Sequence, residues 1–277
     1  KRQHKMLAQF PLRVTRSFMQ RMRPGDINDP LLQQVLPTRE ESSLAVGFST
    51  DPVGDIAANA VPGIVHKYHG RALLITTKAC AIHCRYCFRR HFPYQDNRLS
   101  ESQRDVAIQY IANDTSITEV ILSGGDPLAS SDKYLHQLVS QLAQIPHLKT
   151  LRIHSRLPVV LPSRVGAAMF EWLALWRKRK VLVIHSNHAN ELDDDVANAI
   201  QALKDHPITV LNQSVLLRGI NDDVDTLVQL SERLFDIGVM PYYLQPWTAY
   251  RAPSTLKLTM RSAKHLFVKS ALACLVI

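Results

Sequence analysis

The chain has 277 residues, 46% of them hydrophobic, and a formal net charge of +9. That is enough for one large α/β domain, and it excludes several classes of function. No apolar run approaches the ~18 residues of a membrane span, and four cysteines in this length are no secreted disulfide scaffold. The start, KRQHKMLAQF, has charge but no apolar core, so it is not a secretory signal. Reduced cysteines and no export signal point to the cytoplasm. The positive charge sits mainly in the tail: residues 237–277 hold five basic residues and no acid, and without them 28 basic residues face 24 acidic ones. The charge therefore gives no reason to expect nucleic acid or a membrane as partner.

Residues 1–70 read as a basic amphipathic start followed by turn-rich pieces, PGDINDP, FSTDP and VPG. The absence of an initiator Met suggests a fragment. After Gly70 short apolar runs alternate with helical patterns. The strands expected are Ala72–Thr77, Glu119–Leu122, Thr150–His154, Val181–His185, Thr209–Leu211 and Val239–Leu244. Between them Leu135, Leu138, Val139 and Leu142 mark one helical face. Ser163–Arg179, Asp193–Lys204 and Val224–Phe235 read as further helices, with Val224, Leu227, Val228 and Phe235 on one stripe. Strands alternating with helices imply a parallel sheet. Six strands are too few for a closed eight-stranded barrel, so an open, partial TIM-like (β/α)6 barrel is expected. Three regions follow: an N-terminal extension over 1–70 packing on the barrel, a core over 71–244, and a divergent tail over 245–277.

In such sheets function gathers beyond the carboxyl ends of the strands. There the sequence places Cys80, Cys84 and Cys87, spaced C-x3-C-x2-C, after the first strand. Three thiolates suit a [4Fe–4S] cluster with one iron left open, commonly ligated by four. Zinc, completed by His83 or His91, is an alternative, and so is a disulfide. The spacing itself resembles the signature of radical S-adenosylmethionine (SAM) enzymes. Ser123-Gly124-Gly125-Asp126 follows the second strand, where glycines would let a ligand approach the backbone; a plain turn is the bland alternative. His154-Ser155-Arg156 ends the third strand. His185, Asn187 and His188 end the fourth and read as polar wall of a pocket, or as capping groups. Asn212-Gln213 end the fifth, and Gln213 is as readily a satisfied amide as a binding group. Lys67, Tyr68 and Arg71 could clamp a phosphate or form a solvated basic patch. Arg89 could grip a carboxylate with its planar fork or balance cluster charge.

Longer strings carry a closer resemblance. FPLRVTRSFMQRM, DPLLQQVLP, GFSTDP, VPGIVHKYHGRALL, CRYCFRRHFPY, SGGDPL, LRIHSRLPVVLPSR, NHANE, LNQSVLLRGIND and GVMPYYL look like lysine 2,3-aminomutase. The branch most resembled makes (R)-β-lysine for the modification of elongation factor P. The resemblance runs from about Phe10 to Leu244. It implies a radical SAM fold and three cofactors: a [4Fe–4S] cluster, SAM and pyridoxal 5′-phosphate (PLP). It implies cleavage of SAM to methionine and a 5′-deoxyadenosyl radical, hydrogen abstraction from the β-carbon of L-lysine held on PLP, a shift of the α-nitrogen, and return of the hydrogen. By position, Cys80, Cys84 and Cys87 match cluster ligands. Ser123, Gly124, Gly125, Asp126, His185 and Gln213 match SAM contacts. Lys67, Tyr68 and Arg71 match PLP contacts, and Arg89 matches the arginine that binds the substrate carboxylate. Implied partners are L-lysine, a reductant such as flavodoxin, elongation factor P with its β-lysine ligase, and other copies of the chain in a homo-oligomer.

After Leu244 the resemblance stops. Thr248 falls where the family has an aspartate for the substrate amine. The lysine that joins PLP is expected beyond the end of this chain, and Lys257, Lys264 and Lys269 lie in the wrong context. Residues 245–277 therefore read as an out-of-frame tail, with impaired turnover expected. Two other classes of function compete: a radical SAM enzyme that cleaves SAM without PLP, and a basic RNA- or factor-binding module that leaves the cysteines unexplained.

Overall fold

The computed structural model describes residues 11–38, 51, 53–90, 92 and 101–246. The tail beyond Pro246, with Thr248, Lys257, Lys264 and Lys269, lies outside them, as does His91. One eight-stranded sheet organises the fold, in the order β1-β2-β3-β4-β5-β6-β7-β8. Strands β1 (Asn59–Val61) and β2 (Ile64–Tyr68) form a hairpin that pairs antiparallel with β3 (Arg71–Thr77). From β3 onward every pairing is parallel, through β4 (Glu119–Gly124), β5 (Thr150–Ser155), β6 (Arg179–His185), β7 (Ile208–Leu216) and β8 (Met240–Pro246). Strands β1 and β8 are the two edges, so the six parallel strands form an open, partial barrel.

The six parallel strands lie where short apolar runs place them. The sheet, however, begins at Asn59 rather than at Ala72. Val61-Pro62-Gly63, which reads as turn material, is the corner of the hairpin, with Gly63 at φ +83°. Strand β7 runs on to Leu216, so Asn212 and Gln213 lie within it rather than at its end. They are nonetheless level with the end of β6, because Gln213 pairs in register with His185.

Helices cover the outer face, apart from the first, whose Phe18 packs with Ile82 and Val160 beside the cysteine loop. They are α1 (Arg16–Gln20), α2 (Glu101–Asn113), α3 (Asp132–Ala143), α4 (Leu157–Val160, a single turn), α5 (Ala167–Ala174), α6 (Asp194–Lys204) and α7 (Val224–Asp236). Their starts are written in the sequence. Ser131, Asp193 and Asp223 each accept a hydrogen bond from a backbone N–H of the first turn of α3, α6 and α7. The helix expected over Ser163–Arg179 is shorter, running only from Ala167 to Ala174. The chain then turns back, with Trp176 Nε1 donating to Arg179 O at 3.0 Å, and Arg179 already opens β6.

Alternation along the strands separates two environments. Leu74, Val120, Leu122, Leu151, Ile153, Leu182, Ile184 and Val210 join the helices in the main core. The intervening residues, including Ser123, Arg152, His154, His185 and Gln213, fall on the inner face.

The expected stripe of α7 is corrected in one place. Leu227, Leu230 and Leu234 are buried, whereas Phe235 is 64% exposed. Phe235 falls just past the face that Leu230 and Leu234 define. Leu234→Ala should cost roughly 2–5 kcal/mol, as large-to-small core changes do. Phe235→Ser should stay within about 0.5 kcal/mol. Urea unfolding of the two variants checks the assignment, and equal losses would contradict it.

Candidate active site

The three cysteines lie on the irregular loop that leaves β3. Segment 11–38 braces this loop from outside. Arg13 donates to Cys80 O at 2.9 Å, His83 N donates to Arg13 O at 3.0 Å, and Arg85 N donates to Gln34 O at 2.9 Å. The His83 ring contacts Pro11 O through Nδ1 at 2.7 Å, so it serves this brace.

Cys80, Cys84 and Cys87 are free and half-buried. Burial, and then the charges of Cys87, Asp126 and Cys84, push the Cys80 thiol well up from its ordinary value. Burial, and then Cys84, push Cys87 up to about 11. Three thiols that repel one another on ionising fit a polycationic partner, since metal coordination deprotonates a thiol outright. Among the described residues no three His, Cys, Asp or Glu side chains converge on a single ion. A [4Fe–4S] cube asks only one thiolate of each iron, so three thiols on one loop can serve three of its irons. The donor set therefore fits a [4Fe–4S] cluster.

Gly124, the last residue of β4, and Gly125 after it lie directly against this loop. A Cβ on Gly125 would lie 2.5 Å from Ala79 O and 2.6 Å from Lys78 C. One on Gly124, whose φ is +127°, would lie 2.5 Å from Thr77 O. Only glycine allows this approach. The Gly125 and Asp126 N–H groups donate to Thr77 O (2.6 Å) and Ala79 O (2.8 Å). With those donors used, a ligand meeting this turn through its backbone meets carbonyl oxygens, which suits an ammonium group. Gly125→Ala must displace backbone rather than a flexible side chain. It should exceed the usual 1–3 kcal/mol cost of overpacking and lower iron uptake; iron analysis with thermal unfolding checks both.

Asp126 is committed internally. Its Oδ1 accepts from Leu128 N (3.0 Å) and Ser155 Oγ (2.7 Å), and its Oδ2 from Arg156 N (2.7 Å) and Leu157 N (3.2 Å). Burial pushes this carboxyl up to about 6 against those bonds. Its side chain ties the end of β4 to the end of β5.

On the inner face His185 packs edge-on to His154, ring centroids 5.8 Å apart. Burial, and then Arg156 and Arg89, push His185 down to about 4. Burial, and then His185, push His154 well below its ordinary value. Both are therefore neutral at pH 7. His185 Nε2 is buried without a hydrogen-bond partner, the mark of a group that awaits a ligand. Gln213, level with it, donates weakly to Gln245 Oε1 at 3.3 Å. Asn187 and His188 do not join this wall. Asn187 donates to Gln34 Oε1 (2.9 Å) and Tyr86 OH (2.7 Å), and His188 Nδ1 caps the next turn by accepting from Asn190 N.

Arg89 meets Ser123 directly, donating to its Oγ at 2.9 Å, and its Nε pairs with Asp55 Oδ2 at 2.8 Å. Lys67 pairs with the other oxygen of Asp55. Asp55, which sequence reasoning missed, thus joins two of the singled-out cations. The other two expected PLP contacts lie elsewhere. Tyr68 is exposed at the end of β2, and Arg71, at the start of β3, pairs with Glu119 at 3.5 Å. Glu119 also binds Arg152 Nε at 2.6 Å. Arg71 therefore sits at the opposite end of β3 from the cysteine loop.

A barrel of six parallel strands with three thiols after the first defines a class of enzyme. The radical SAM superfamily matches residues 74–230, and the chain belongs to it. Within that superfamily the chain belongs to the lysine 2,3-aminomutase family. It is 51% identical to the L-lysine 2,3-aminomutase of Escherichia coli over 85% of this chain and 68% of that protein. The corresponding figures for the Haemophilus influenzae enzyme are 48%, 85% and 70%. For the Buchnera aphidicola enzyme they are 43%, 94% and 76%, so more of the chain aligns than Phe10–Leu244. Membership carries the isomerase class and the need for a [4Fe–4S] cluster and SAM. Among the described residues no helix is long and apolar enough to cross a membrane.

Proposed function

We propose that this chain is an L-lysine 2,3-aminomutase that forms (R)-β-lysine with SAM and PLP. The observation that carries the reading is the thiol loop packed on Gly124-Gly125, with the neutral, unpartnered His185 on the inner face, in a chain 51% identical to such an enzyme. When bound, the cluster supplies the electron that cleaves SAM, and PLP supplies a carrier for the migrating nitrogen. Cys80, Cys84 and Cys87 hold the cluster. The carbonyls of Ser123–Gly125 take the ammonium of SAM, with His185 Nε2 and Gln213 as further polar contacts. Asp126 braces that turn. Arg89 anchors the substrate carboxylate, and Lys67, Tyr68 and Arg71 contact PLP. Along the sequence we keep the division 1–70, 71–244 and 245–277, although the first region lends β1 and β2 to the core sheet and β8 runs on to Pro246. The enzyme works in the cytoplasm as a homo-oligomer, draws electrons from a flavodoxin-like donor, and its product reaches elongation factor P through a β-lysine ligase.

The test is anaerobic reconstitution with iron and sulfide, then incubation with SAM, PLP, L-lysine and dithionite. Formation of 5′-deoxyadenosine, methionine and β-lysine supports the reading. A second reading, SAM cleavage without PLP, draws on Lys67 and Arg71 being already paired with Asp55 and Glu119, with Arg71 at the far end of β3 from the cysteine loop. Deoxyadenosine without β-lysine, with or without added PLP, would favour it.

A further inference from the structure

We propose that Arg156 is the charged partner of the cluster: its guanidinium holds the Cys84 thiolate in place and favours the one-electron-reduced state. The inference rests on the iron–sulfur reading above and deepens it.

Arg156 is only 5% exposed, and a buried cation is costly unless it is well paired; both terminal nitrogens have partners, while Nε is buried without one. Its backbone N–H is fixed by Asp126. One terminal nitrogen donates to Gln34 Oε1 at 2.7 Å and to Glu191 Oε2 at 3.1 Å. The rings of Phe18 and Tyr86 each lie 5.3 Å from the guanidinium carbon. The remaining terminal nitrogen donates to Cys84 Sγ at 2.8 Å.

Glu191 does not cancel this charge alone. Its Oε1 accepts from Gln34 Nε2 at 3.0 Å, Asn187 N at 2.8 Å and His188 N at 3.1 Å, so its negative charge is shared among other donors. Were Arg156 only the partner of Glu191, a two-pronged pair would be the stronger arrangement. Instead the fork is split, one prong on the carboxylate and one on sulfur. Arginine keeps its charge in any surroundings. The electron that converts an oxidised 2+ cluster to the 1+ state adds negative charge to irons and sulfurs. A fixed cation bonded to one ligand sulfur, away from water, favours that state, and hydrogen bonds to sulfur are a recognised lever on cluster potential.

The experiment is an anaerobic redox titration of the reconstituted chain with dithionite, read by the EPR signal of the reduced cluster alongside iron and sulfide analysis. Arg156→Met should lower the reduced-to-oxidised ratio at fixed potential about tenfold, about 59 mV for one electron. Arg156→Lys, which keeps the charge but not the fork, should retain most of the potential. Glu191→Gln disturbs the same contacts but removes a negative charge, so its shift should have the opposite sign. A purely structural role would lower iron content in all three and leave the potential of the remaining cluster unchanged, and that result would overturn the proposal. If Arg156→Met takes up no iron, Glu191→Gln decides: a shift to higher potential supports the proposal and no shift overturns it. A wild-type chain without a four-iron signal overturns the iron–sulfur reading and this inference with it.

Discussion

Serine in place of Cys80, Cys84 or Cys87, one at a time, will remove the reducible four-iron signal and with it SAM cleavage. The loss should exceed the roughly 100-fold that outer partners of a metal site command, because a ligand itself is removed. His83→Ala is the informative control. In a zinc site completed by His83 it would release the metal; here the ring binds Pro11 O, and the iron should stay. Uptake should also depend on pH in a defined direction. Burial holds Cys80 above its ordinary value and Cys87 at about 11, so both thiols are protonated at neutral pH. Binding iron expels those protons, and a rise in pH lowers the cost. Reconstitution at a series of pH values, followed by iron analysis, should give yields that rise with pH. Normal iron content in any of the three serine variants would remove the basis of the assignment.

Much of this site is legible because its parts are local in sequence. The cysteine spacing lies in one loop, the two glycines lie in one turn, and six apolar runs mark six strands. What escapes is whatever depends on distant partners. Arg156 appears in the string HSRLP as one polar residue at a strand end, yet its guanidinium contacts come from Phe18, Gln34, Cys84, Tyr86 and Glu191. No periodicity encodes such a meeting. Helix α2 escapes for a different reason: it buries Arg104 and leaves Val106 half exposed, so its apolar pattern is blurred. The β1–β2 hairpin is hidden by its own corner, since Pro62-Gly63 reads as an interruption when it is the turn between two short strands. The glycines carry a subtler lesson. Their sequence suggests room for a ligand, whereas the atoms nearest their missing side chains belong to Thr77, Lys78 and Ala79. They bring the end of β4 up to the cysteine loop first, and ligand contact follows from that placement.

The same logic gives the second large effect, at Asp55. This carboxylate is 3% exposed and pairs with both Lys67 and Arg89, each itself largely buried. Asp55→Ala leaves two largely buried cations without their counter-charge, though Lys67 keeps Val53 O and Arg89 keeps Ser123 Oγ, which should cost roughly 3–5 kcal/mol. Asp55→Asn keeps the shape but not the charge and should lose a large part of that. The pH dependence follows from the carboxyl. Burial pushes it up, but Arg89 and Lys67 outweigh burial and hold it below its ordinary value. A folded-state value below the unfolded one of about 3.9 means stability that is complete above that pH and lost as pH falls through the folded value. The wild type should therefore show an acid limb below about pH 4 that is shallower in Asp55→Asn, measured by urea unfolding across that range. A consequence for binding accompanies the loss of stability. Asp55 and Ser123 together fix the guanidinium of Arg89, so releasing it should raise the lysine concentration needed for half-maximal turnover more than it slows SAM cleavage. Wild-type stability and unchanged lysine dependence in Asp55→Asn would show that Arg89 is held without it.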